Sequence, residues 1–203
     1  MPNAPWRSHT SNTNRFMSII NESLSTAEIP SSWPELNDGM RLPRVKLLAP
    51  QNIYKFASRR VPVTRRMESP WWFAESDFKK LEPYLDLDSS NPGFVARIQG
   101  AVCYDWSDMD VLMVARLLKP MNVFQGPGKC VVERTQRGGT ICYQPPQDLK
   151  QTFIPGIRTV PEVKENVRLQ KQMLLAGPDE IDQAMKQIPA GKFGIMRGNP
   201  LVH

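Results

Sequence analysis

Histidine is nearly absent: the 203 residues hold two, His9 and His203, each close to one end of the chain. That scarcity excludes histidine-based nucleophilic triads, paired-histidine nuclease centres and histidine metal sites, because each needs imidazoles held by a rigid frame. Cysteine is scarce too. Cys103, Cys130 and Cys142 are odd in number, with spacings of 27 and 12. That pattern fits neither a disulfide framework nor a zinc site. It points to reduced thiols packed as small core hydrophobes and to synthesis in the cytosol. A cysteine nucleophile would lack its histidine base. Long apolar runs are missing as well: the strongest, such as residues 111–115, cover only a few residues, far short of a membrane span. The opening residues lack the charged and apolar regions of a cleavable secretory signal. The expected localisation is cytoplasmic at synthesis, with export without a cleavable signal peptide left open.

What is present is enough for a packed core: 40% of the residues are hydrophobic and 23% charged. The length suits one domain with an arm. The formal net charge of +6 is unevenly spread. Residues 41–66 hold eight cations and no acid, whereas residues 67–110 hold nine acids against Lys79, Lys80 and Arg97. An acid-free basic segment can serve phosphates of a nucleotide or a nucleic acid. The alternative is that it faces the acidic segment of the same fold, or solvent.

Residue patterns divide the chain into an arm (1–40), a core domain (41–158) and a C-terminal appendage (159–203). Residues 1–14 are polar and read as mobile or extended. Residues 15–24 carry Phe16, Ile19, Ile20 and Leu24 at helical spacing, and residues 29–38, with two prolines, read as irregular. Strands are predicted at 52–58, 71–73, 123–124, 130–134, 140–143 and 152–154, with residues 61–63 extended around Pro62. Helices are predicted at 77–85, 94–104 and 109–118, the last opened by Ser107, Asp108 and Asp110 and stopped by Pro120. Residues 162–175 and 178–188 are predicted helical, and 191–203 irregular. The sum is an α+β fold: a mainly antiparallel sheet with inserted helices and a helical C-terminal appendage.

Few motifs carry chemistry on their own. Gly126-Pro127-Gly128-Lys129 lacks the frame of a phosphate loop, and its proline deletes an amide; it reads as a hairpin turn. Trp71 and Trp72 are adjacent, so in a strand they point to opposite faces and at most one enters the core directly. The other can line a cleft and stack on nicotinamide, adenine or a nucleobase; the alternative is that both pack helices. Glu133 is the sole acid between Val111 and Thr140. It is a candidate carboxylate for a developing positive charge, or a solvent-facing strand residue.

Three segments together carry a family resemblance. Ile53-Tyr54-Lys55-Phe56 resembles the first strand of mono-ADP-ribosyltransferase toxin domains, where an aromatic precedes a cation that grips the NAD phosphates. Ser69-Pro70-Trp71-Trp72-Phe73 resembles the strand that sets a small hydroxyl residue beside their nicotinamide cleft. Gly138-Gly139, followed by Gln151-Thr152-Phe153-Ile154-Pro155, resembles their closing strands, which carry a catalytic Glu or Gln position. The resemblance covers residues 52–155. It implies NAD as cofactor, Tyr54, Lys55, Ser69 and Trp71 as cofactor-binding residues, and Gln151, beside Glu133, as catalytic. It also implies a macromolecular target, protein or nucleic acid, for the transferred ADP-ribose. Lys55 stands where the family usually has Arg, Ser-Pro-Trp replaces Ser-Thr-Ser, and no Glu-x-Glu or Gln-x-Glu pair is present. A degenerate, non-catalytic member of the fold therefore stays open. So do a nucleic-acid-binding module built on residues 41–66 and a structural or interaction protein whose N-terminal arm wraps a partner.

Overall fold

The computed structural model describes residues 18–23, 44–85, 91–175 and 180–197. The readings of residues 1–14 and 29–38 lie outside the described residues, as does most of the arm.

A seven-stranded antiparallel sheet forms the centre. Its strands are β1 (Arg44–Leu47), β2 (Gln51–Ala57), β3 (Trp71–Ala74), β4 (Val111–Leu117), β5 (Met121–Pro127), β8 (Lys150–Phe153) and β9 (Val167–Leu174), in the spatial order β1-β5-β8-β3-β2-β4-β9. A smaller sheet joins β6 (Val131–Arg134) and β7 (Thr140–Gln144) as an antiparallel pair, with β10 (Phe193–Arg197) added parallel to β7. The helices α1 (Val63–Glu68), α2 (Glu75–Leu81), α3 (Pro92–Gly100), α4 (Pro161–Asn166) and α5 (Glu180–Lys186) are short. The α+β class with a mainly antiparallel sheet is therefore the observed one.

Alternation along the strands places core on both faces of the large sheet. Ile53, Trp72, Ala115, Leu117 and Val123 pack together on one side, closed over by Ile20, Ile154, Ile157 and Val163. Phe56, Phe73 and Leu112 pack with Phe78 and Leu81 of α2 and Ala96 of α3. Trp72 is 1% exposed; its neighbour Trp71 is half-buried and meets Phe153 edge-on at 5.0 Å. The pair thus divides as adjacent strand residues must.

The helix predicted over 109–118 is a strand. Residues 111–117 pair along their whole length with β2 on one side and β9 on the other. Polar residues that looked like a helix cap serve loop closure instead: Ser58 Oγ donates to Asp108 Oδ2, Arg59 N–H to Asp110 Oδ1, and Met109 N–H to Ser107 Oγ. With both neighbours supplied, Val111-Leu112-Met113-Val114 buries apolar side chains on both sheet faces, and sheet context overrides helical spacing.

The helical C-terminal appendage is also corrected. Only residues 161–166 are helical before the chain turns into β9. Val167, Leu169 and Met173 alternate with the charged Arg168 and Lys171, with one register irregularity opposite Val114 and Ala115. A half-covered edge strand is the outcome. Residues 193–197, predicted irregular, form β10, so segment 159–203 contributes a strand to each sheet. Elsewhere, residues 18–23 make a turn whose Ile20 bridges to Met121, where a helix was predicted. Pro62 precedes α1, so Val63 opens a helix where an extended residue was predicted. Of the predicted 126–128 turn, Gly126 and Pro127 end β5 and Gly128 follows it.

Candidate functional site

A cavity of about 420 Å³ opens where β2, β3 and β8 lie side by side, walled by the chain after α3 and by the start of β6. Asn91 caps α3 by accepting the Phe94 N–H, and Pro92 fits the first turn. The helix ends because Ala101 turns left-handed, at φ 50°. Met109 is also left-handed, at φ 58°. Both residues line the cavity, and such backbone in a residue with a Cβ costs of order 1–2 kcal/mol. Strain of this kind collects where the surroundings fix a site's shape.

Two buried groups brace that wall. The Arg97 guanidinium donates to the carbonyls of Val102 at 3.1 Å and Ser107 at 2.8 Å, and sits 3.8 Å from the Tyr104 ring. Glu133 accepts from the amides of Tyr104 and Asp105 and from the Tyr143 hydroxyl, at 3.0 to 3.2 Å. Burial, then the Glu133 charge, pushes the Tyr143 hydroxyl above its ordinary range. Glu133 is buried and does not line the cavity. Its carboxylate holds loop amides, which is neither of the roles considered from sequence.

Lys55, Ser69, Trp71 and Gln151 all border the cavity. Tyr54 does not. It stacks on Phe78 at 3.9 Å, in α2, on the strand side opposite its neighbour Lys55. The Lys55 ammonium is engaged with the protein: it donates to Arg66 O at 2.8 Å and Ser69 O at 3.2 Å and lies 5.1 Å from the Trp72 ring centre. Burial lowers its pKa to about 7. Trp72 Nε1 donates to the same Ser69 carbonyl, so this carbonyl is fixed from two sides at the start of β3. Gln151 donates its Nε2 to Gly100 O at 2.6 Å, linking β8 to the end of α3.

Other lining residues read differently from sequence: Ser107 as the opening of a helix and Lys129 as part of a hairpin turn. Trp106, 54% exposed, stands at the rim, and Lys129 and Ser107 add polar groups. An isolated tryptophan in the polar run Tyr104-Asp105-Trp106-Ser107-Asp108 was the available hint. Gly128 sits where a Cβ would come within 3.0 Å of both Gln151 Nε2 and Pro145 Cγ, so glycine lets this chain approach Gln151. Among the described residues that line the cavity there is no carboxylate.

The basic segment is answered in part by acids. Arg59 pairs with Asp110, Arg60 with Asp108 and Arg65 with Glu68. Lys164 and Arg65 together hold the Glu68 carboxyl below its usual range. The acidic segment thus meets the basic one within the fold. The thiols divide: Cys103 and Cys142 are buried, whereas Cys130, expected in the core, is exposed because it lies in the connection between β5 and β6. Among the described residues, no group of three His, Cys, Asp or Glu is placed to hold a metal ion, and no helix is long and apolar enough to cross a membrane.

No family model and no curated protein matches the chain significantly. Among solved structures, Rhs1-CT, determined in complex with its cognate immunity protein RhsI1, is similar at a TM-score of 0.38 and 10% identity, over 68% of this chain and 83% of that one.

Proposed function

We propose that the cavity binds the nicotinamide end of NAD and that the chain is an ADP-ribosyltransferase-like effector or toxin domain acting on a macromolecular target. One observation carries the reading: Lys55, Ser69, Trp71 and Gln151, named by the family resemblance, lie on or next to three neighbouring strands and border one cavity. The cavity volume lies in the range of small-molecule sites, and its wall is mainly apolar with a few polar groups. Trp71 and Trp106 offer faces to a flat ring. Lys129, rather than the buried Lys55 ammonium, brings the cation suited to a phosphate.

Splitting the bond between nicotinamide and ribose leaves positive charge on the ribose, and a carboxylate stabilises such charge best. Gln151 supplies a neutral amide instead, so binding is expected to exceed turnover. Titrating NAD while following tryptophan fluorescence tests the reading, with heat of binding as the second measure. Saturable quenching that Trp71→Ala abolishes and Tyr54→Phe spares is the expected result. A flat response up to millimolar NAD, with no heat, overturns it. Gln151→Glu supplies the charge and, having no Nε2 to donate to the Gly100 carbonyl, turns away from it into the cavity; it is expected to raise NAD cleavage about tenfold, about 1.4 kcal/mol of transition-state stabilisation.

A further inference from the structure

We infer that Cys130 and Cys142 form a redox pair that closes into a disulfide at the cavity wall. Their sulfurs are 2.7 Å apart, inside the contact distance of two unbonded sulfurs and a short approach from the bond length of about 2.05 Å. β6 pairs with β7 so that Val131 faces Tyr143 and Val132 faces Cys142. Cys130 therefore stands just before the paired residues and reaches Cys142 diagonally. The two differ in access: Cys130 is exposed and Cys142 buried. That asymmetry suits an attacking thiol and a resolving thiol. The residues flanking Cys130, Lys129 and Val131, both line the cavity, so the bond fixes that wall to the small sheet.

The oxidant is a small disulfide of the glutathione class. The Cys130 thiolate attacks one of its sulfurs, forms a mixed disulfide and releases one thiolate. The Cys142 thiolate then attacks Cys130 Sγ, forms the intramolecular bond and releases the second thiolate. Two protein thiols are oxidised, one external disulfide is reduced to two thiols, and the two protons of the protein thiols pass to the departing thiolates. Burial, then the neighbouring Cys142, pushes the Cys130 thiol up to about 11. Thiolate is therefore scarce at neutral pH, and uncatalysed closure is slow there.

The test incubates the full chain with oxidised glutathione at mildly alkaline pH, quenches with acid and counts thiols after denaturation. The expected count falls from three to one. A tryptic map shows peptide 130–134 joined to peptide 138–150, lighter than the two free peptides by two hydrogens. Cys142→Ala is expected to stop at a mixed disulfide on Cys130, and Cys103→Ser to close as the wild type does. A wild-type chain that retains glutathione on Cys130, keeps all three thiols, or links either peptide to Cys103 overturns the inference. The wild-type map decides the matter even where a variant fails to fold.

Discussion

Lys55 is held by two carbonyls and an indole ring, with burial as the dominant electrostatic fact. Its folded pKa, about 7, lies below its ordinary value of 10.5. Between these values the unfolded chain binds the extra proton, so stability rises with pH, by up to about 1.4 kcal/mol per unit. Below pH 7 both states are protonated, the cost of burying the charge is fully present, and the slope vanishes. Urea unfolding of Lys55→Met between pH 7 and 10.5 is expected to lack the rise seen in the wild type. Glu133 makes a second case. Glu133→Ala removes the acceptor of the half-buried Tyr104 amide, the Asp105 amide and the buried Tyr143 hydroxyl, and is expected to cost about 1–3 kcal/mol in unfolding experiments, mostly from the orphaned hydroxyl. Glu133→Gln, which keeps an acceptor, should cost less. If Glu133→Ala instead left stability unchanged and lowered only NAD turnover, the bracing role would be wrong.

At the level of elements, the sequence was readable where local preference and sheet context agree. Ile53, Tyr54 and Phe56 mark β2, and Thr152-Phe153 marks β8, because β-branched and aromatic residues fit a pleated, half-buried surface. It misled where polar residues have two uses. Ser107, Asp108 and Asp110 resemble a helix cap, yet Asp108 and Asp110 tie the chain before β4 to the chain after β2, while Ser107 accepts from the Met109 N–H. In residues 162–175, Val163, Val167 and Leu174 suited a helix, while the partner that makes β9 a strand lies far back in the chain, in β4. The candidate site was legible as three separate segments. Their convergence, and the parts played by Trp106, Lys129 and Gly128, depend on connections that no local pattern encodes. Alternation alone, however, separates Tyr54 from Lys55. The consequence for the C-terminal segment is testable. Truncation after Thr159 removes β9 and bares the long edge of β4, a template for association. Light scattering is expected to show that this fragment aggregates; a monomeric, cooperatively unfolding fragment would show that β9 is dispensable.

Across the whole molecule, the opposite charges of residues 41–66 and 67–110 fold against each other. Arg59 and Arg60 remain more than half exposed while paired with Asp110 and Asp108, so each pair contributes at most about 1 kcal/mol. Reversing both arginines to glutamate sets acid against acid. The unfolding midpoint should drop at low ionic strength, and the gap should narrow as salt screens the repulsion. A gap that ignores salt would point to lost packing instead.

The pairings of β1 with β5, β3 with β8, and β4 with β9 join residues that lie far apart along the chain. The order of synthesis then matters. While the ribosome is still making residues 150–197, β3 has one neighbour, β4 lacks its outer one, and the small sheet has no β10. Contacts between such distant segments form slowly, because long loops must close before anything is gained. A chain whose sheets close last stays open for longer, and a chaperone meets it as separate strands rather than a finished domain.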